Sequence, residues 1–523
     1  MKLQFRSRLA SVAAAAWLAG SPLQAATIFW QGGSGGLISA NYSDGTNSGL
    51  TPTSGDVVNF GNGGTATYNT PGPLSLQKLR VGHNQTTPAP GGSGTGVVTI
   101  SGGANVALTV GASGADNASL WVGNVQNGTL NIDGATTSVL AARLIVVGYG
   151  NNVARTGTIN ITNGASLTAT LGNIQLGEGT GGTPTGVQGH MFVNGNLTTT
   201  DVGADLNIGI RAATSSFTQT GGLVSIGDVI EVGVSSGSNT NSSFNISGGT
   251  TTHGGNFFVG RGSTVGATVN ISGGVINTGN RYLMGAGTAT GIVTNHSGGT
   301  LNTVLDLRVG DSGSGDTTYN LSGAGVINST TGGIVGRQGA AKFLQTGGTA
   351  NFNGTLSIGN RESATGATSG LYEISSGDLN VLTALNVATN GTGEFRVLGD
   401  DATIDVTGNM SVGNTANGLG TLGYKLEAGD LLSVIGVTGT ATFNSGAALV
   451  FDASASTPTQ TVYDLLTAAS IVDNGIAFTG PANWNYRIVT GGAGQILQAF
   501  TVPEPTSIGL ALLAGVALIR RRS

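Results

Sequence analysis

Apolar and polar residues alternate along most of this chain. Thr158-Ile159-Asn160-Ile161-Thr162, Phe244-Asn245-Ile246 and Val269-Asn270-Ile271 all repeat with period two, the pattern of a strand with one buried and one wet face. Gly-Gly turns follow such runs, as in Asn245-Ile246-Ser247-Gly248-Gly249, and no segment between the two ends of the chain combines a helical period with caps. The pattern predicts an all-β protein.

The strands belong to a longer repeat. An apolar-any-apolar-Gly motif occurs at 79–82, 120–123, 206–209, 230–233, 307–310 and 356–359, with looser copies between, one of them ending in Ala388 instead of Gly. From Gly123 to Gly413 the eleven intervals average 26 residues. A second element, at 218–222, 245–249, 270–274, 295–299 and 344–348, places its last Gly 11 residues before the next motif glycine, whereas the gap on its other side varies. One side of each repeat is therefore fixed and the other is a tolerant loop. A period of about 26 is too short for a propeller blade and lacks the leucine-rich consensus. It fits one coil of a β-solenoid, whose coils must stack to bury their apolar faces. The expected fold is a right-handed β-helix of roughly 13 coils, about 60 Å long at ~4.8 Å per coil. Residues 79–414 form the array. Residues 26–78, with Trp30, Tyr42, Phe60 and Tyr68, and residues 415–501 are expected as β caps, because an open coil presents unpaired backbone groups.

Composition narrows the functions. The chain has 523 residues, 93 of them Gly and none Cys, so disulfides and thiolate metal sites are excluded. Between residues 26 and 501, 14 basic residues face 24 acidic ones, a net charge of −10. Such a body repels phosphate backbones, and no nucleic-acid partner is expected.

Both ends carry export signals. Lys2, Arg6 and Arg8 precede the apolar stretch 9–19 and the small residues Ala25 and Ala26, which reads as a signal peptide over 1–25 cut after Ala25 or Ala26. At the other end, Val502-Pro503-Glu504-Pro505 precedes an apolar run at 506–519 and then Arg520, Arg521 and Arg522. Fourteen helical residues span about 21 Å, less than the ~30 Å hydrocarbon core, so the run is a marginal anchor with its arginines on the cytoplasmic side. Pro503 and Pro505 keep the preceding segment non-helical. The arrangement over 502–523 closely resembles the PEP-CTERM sorting signal. That resemblance implies recognition by an exosortase, a membrane-embedded cysteine transpeptidase. It also implies transient inner-membrane anchoring, followed by residence on the cell surface or in the extracellular matrix of a Gram-negative-type bacterium that makes exopolysaccharide. The repeats, together with TIFWQGGSGG at 27–36 and YDLLTAASI at 463–471, resemble the autotransporter-associated β-strand repeat proteins, whose passenger regions are β-helical.

Candidate chemistry is sparse. The histidines His83, His190, His253 and His296 are scattered; His296 replaces the Ile of neighbouring repeats, and the other three read as surface turn residues. Glu394, Asp400, Asp401 and Asp405 form the best carboxylate cluster, and glycoside hydrolysis needs two carboxylates facing each other. Asp311 and Asp316 could offer oxygens to Ca²⁺, but their spacing matches no calcium motif. No cofactor is implied. The more persistent feature is a row: Asn131, Asn160, Asn245, Asn270 and Asn320 hold one repeat position between apolar neighbours, so stacked coils would align them as an outward polar face able to bond sugar hydroxyls. The expected function is a non-enzymatic surface or matrix rod associated with exopolysaccharide. A carbohydrate-binding adhesin and a polysaccharide lyase or hydrolase are the alternatives.

Overall fold

The computed structural model describes residues 26–503 except 32, 45, 62, 84–94, 110–117, 151–153, 180–185, 211–213, 235–240, 263–265, 288, 314, 361–367, 415–417 and 493. The described residues form strands and no helix. Parallel coils stack as a β-solenoid of about 15 turns, about 27 residues apart, which makes a stack on the order of 70 Å long. Each complete coil contributes three strands, and each strand pairs in parallel with its counterparts in the coils before and after, so three stacked walls surround one core.

Register places like residues over like. On the first wall Leu130, Ile159, Met191, Phe217, Phe244 and Val269 follow one another. All point inward and are buried. From Phe217 the interior becomes an aromatic stack. Phe217 and Phe244 lie 5.0 Å apart, and after an interruption Tyr319, Phe343, Tyr372 and Phe395 continue at 4.9, 4.5 and 5.5 Å. The interruption falls at Val269 and Thr294, which hold the same column. There Phe257 and Tyr282 from the third wall fill the space, 5.2 Å from Phe244 and 6.3 Å from Tyr319. Small residues on one wall thus meet large ones on the other, as close packing requires. The Tyr282 hydroxyl lies 2.9 Å from Thr294 Oγ1, so the polar end of the intruding ring is satisfied.

The apolar-any-apolar-Gly motif forms the third wall and its exit corner. The motif glycines, from Gly82 through Gly310 to Gly413, have φ between +67 and +80°. Ala388, at the same position, takes φ +64°. This left-handed corner explains why the repeat demands Gly, since a Cβ there clashes with the following carbonyl.

The stack also extends beyond residues 79–414, which the spacing of the motif set as the array. At the N-terminal end Ile28 pairs with Val58 and Val58 with Leu79, all in parallel. At the C-terminal end Ile404, Ile435 and Leu466 continue another column. Inward apolar alternation persists there although the glycine motif fades, and this alternation is what stacking requires. True closure falls to shorter pieces. Strand Tyr42–Ser43 pairs antiparallel with Thr27–Trp30, and Trp30 packs 5.1 and 4.8 Å from Tyr42 and Phe60. The antiparallel hairpin of Trp484–Gly491 and Gly494–Thr501 covers Val462–Asp473 at the other end.

Two substitutions at the corner test its role. Ala388→Gly should raise the urea midpoint, by about 1 kcal/mol of relieved left-handed strain. Gly310→Ala should lower it by more, because the new Cβ would stand 2.8 Å from the Ala341 Cβ.

Candidate functional site

The first wall carries the asparagine row on its outer side. Asn160 Nδ2 donates to Asn131 Oδ1 at 2.8 Å, and Asn131 Nδ2 to Thr99 Oγ1 at 3.3 Å. After Phe192 and Thr218 interrupt the column, it resumes: Asn270 donates to Asn245 at 2.7 Å, Asn295 to Asn270 and Asn320 to Asn295 at 2.9 Å each. Their neighbours in each strand, such as Phe244 and Ile246, are buried. Asn295, unlike the five residues read from the sequence, precedes His rather than an apolar residue, yet it completes the run.

A second row was missed. On the second wall Asn302 donates to Asn277 at 2.8 Å, and Asn328, Asn351 and Asn380 each donate to the asparagine of the preceding coil at 2.9 Å. The repeated Ile276-Asn277-Thr278, Leu301-Asn302-Thr303 and Ile327-Asn328-Ser329 could have revealed it. Asp405 is the next register partner after Asn380, followed by Gly436 and Thr467. Along this end of the row lies a hollow of about 210 Å³ reaching from Asn328 to Thr407, and it shares Asn380, Asp405 and Thr407 with one of about 650 Å³ that Gly491, Gly492 and Gly494 also line.

The carboxylates considered for catalysis do not converge. Strand Thr392–Val406 turns a corner, so Glu394 belongs to the first wall, over Leu371, and Asp405 to the second, over Asn380. Arg396 donates to Glu394 at 2.8 Å and to Glu373 at 2.9 Å. Another hollow, of about 320 Å³, contains both Asp316 and Glu394. Asp316 lies two residues before Thr318, and three rungs separate Thr318 from Glu394, a backbone separation of about 14 Å, so the two carboxylates come from coils that are not neighbours. Asp311 is buried on the third wall, where Arg308 and Arg337 each donate to it at 3.1 Å, while Arg281 and Arg308 hold Asp306. Asp316 is exposed, whereas the Asp311 carboxylate is already held by two guanidinium groups. Among the described residues no three metal-ligating side chains cluster.

The histidines need two corrections: His190, read as a surface turn residue, is half-buried within strand Val187–Val193, and the other is His253. His253, read as a surface turn residue, lies inside the coil, in a column between Ile226 and Thr278. It is the fourth residue of Thr250–His253, and alternation turns it to the same side as buried Thr251. Its Nδ1 lies 3.3 Å from Asp228 O. His296 is also buried, with Nδ1 2.9 Å from the Tyr319 hydroxyl and Nε2 3.2 Å from Gly299 O. Burial pushes both imidazoles down to about 4. His190 bonds Ser216 Oγ at 2.8 Å and is also held below its usual value by burial, whereas His83 stacks 6.5 Å from Phe29.

Of the processing residues, Ala26 donates its backbone N–H to Asp56 at 3.1 Å. Val502 and Pro503 are exposed directly after Gly494–Thr501. Ala25, Glu504, Pro505, Arg520, Arg521 and Arg522 lie outside the described residues, and no helix among the described residues is long and apolar enough to cross a membrane. The chain matches no protein-family model, and no curated protein matches its sequence.

The buried histidines set an acid limit. Both are neutral in the folded chain, whereas in the unfolded chain they take up protons below about 6.5. Their contribution is therefore complete above pH 6.5 and is lost as pH falls towards 4. His296→Leu, matching Leu321 in its column, should lose about 3 kcal/mol less stability over that window, read from urea midpoints across pH. An unchanged pH slope would contradict burial of the ring.

Proposed function

We propose that this protein is an exported, non-enzymatic structural rod of the cell surface or extracellular matrix, associated with exopolysaccharide and sorted at its C-terminal motif by an exosortase-type transpeptidase. The observation that carries the non-enzymatic part is the dispersal of the candidate acids and bases. Glu394 is held by Arg396, Asp311 by two arginines, and His253 and His296 are shut inside the core. In the hollow that holds Asp316 and Glu394, the two belong to coils three rungs apart. A continuous core buried along the coils favours a stiff body, since neighbouring coils stabilise one another. Val502 and Pro503, the first two residues of the motif, are exposed at the end of strand Gly494–Thr501, as access by an enzyme at the membrane surface requires.

Two measurements test this reading. Incubation with the purified protein should leave the molar mass of the producing organism's exopolysaccharide unchanged; a fall would establish an enzyme. Mass spectrometry of the protein from its native envelope should find the chain processed near Val502 and without Arg520, Arg521 and Arg522. An intact arginine tail would contradict sorting by a transpeptidase.

A further inference from the structure

The second asparagine row ends in a step that no donor of the described residues completes. Every amide from Asn302 to Asn380 donates towards the preceding coil, so each Oδ1 is occupied from the following coil until Asn380, whose register partner is Asp405. An ionised carboxylate only accepts. Asn380 Oδ1 and the Asp405 carboxylate therefore stand as adjacent acceptors, and neither has a hydrogen-bond donor among the described residues. Within the row each asparagine uses one of its two Nδ2 hydrogens and one Oδ1 lone pair, which leaves one donor and one acceptor per rung.

The hollow exists because of a missing side chain. Gly436 follows Asp405 in the column, and a Cβ there would meet Asp405 Oδ1 at 3.1 Å. Its absence opens the floor between Asp405 and Thr467, beside Gly491, Gly492 and Gly494. With the smaller hollow beside Asn328 and Asn351, the groove follows the solenoid axis along six residues of the column, from Asn328 to Thr467, five rung spacings or about 24 Å. Leu382, 55 % exposed, adds an apolar patch to its wall.

We propose that this groove, from Asn328 through Asn380 and Asp405 to Gln495, binds a linear, neutral glycan of extended β-linked hexoses. Hydroxyls both donate and accept, as the row does; phosphates only accept and ammonium groups only donate. An extended chain of this kind advances by about one rung spacing per sugar, so its hydroxyls meet successive asparagines. The body's charge of −10 works against polyanions,. Among the described residues no third carboxylate or imidazole joins the two acceptors to make a cation site.

The site deepens the rod reading by naming what the rod holds, and the two fail separately. In isothermal titration calorimetry, cellohexaose should bind the full-length protein. Gly436→Phe, whose backbone φ is ordinary and whose ring fills the hollow, should weaken binding at least tenfold, as should Asp405→Ala at an exposed side chain. Asn295→Ala, on the other wall, should bind as the parent does. If Gly436→Phe fails to fold, Asp405→Ala still decides. Absence of binding by cellohexaose, equal binding by the Asp405→Ala variant, an equal loss in Asn295→Ala, or preference for an oligogalacturonate would each overturn the proposal. None of these would revive an enzyme, which only a fall in polymer mass establishes.

Discussion

Hydrogen bonding between one coil and the next, in parallel and in constant register, is the constraint from which the rest follows. A coil satisfies few of its own backbone groups, so its N–H and C=O groups depend on the coils on either side. Parallel pairing at ~4.8 Å then converts a repeat in sequence into columns in space. The same rule that stacks Tyr319, Phe343 and Tyr372 inside stacks Asn270, Asn295 and Asn320 outside. A one-residue slip would exchange the two sets.

The columns tolerate variation where a neighbour compensates. Val269 and Thr294 leave a gap in the aromatic stack, and rings from another wall fill it. His296 enters a column of Ile271 and Leu321 because the Tyr319 hydroxyl and Gly299 carbonyl accommodate its nitrogens. Gln345 does the same two coils on, with the Tyr372 hydroxyl donating to its Oε1 at 2.6 Å. On the outside, Gly436 is not compensated, and the result is a groove rather than a filled row.

Much of this architecture was legible in the residues. Period-two alternation announced strands, and the recurring Gly82-type corner set the coil length. The extent of the stack was less legible because the motif and the alternation decay at different rates: Ile435 and Leu466 still point inward after the glycine corner has gone. The inward turn of His253 depends on where its short strand begins, which composition does not fix. The second asparagine row was written in the sequence as well, each member three residues after the last Gly of its turn, but its significance appears only when Asp405 and Gly436 are seen to continue its column. The opposite walls of Glu394 and Asp405 depend on a corner within one strand, which no linear spacing conveys.

The central claim is that register alone builds both the rod and its polar groove, and the absence of cysteine makes a direct test clean. Asn302→Cys with Asn328→Cys places thiols on adjacent rungs, within the ~4.4–6.8 Å Cα separation of a disulfide. Asn302→Cys with Asn351→Cys places them two rungs apart, at about 10 Å. Under mild oxidation the account predicts loss of free thiol in the first pair and retention in the second, by mass spectrometry of the monomer. Cross-linking of the second pair, or of neither, would contradict the register on which the structure and its proposed function depend.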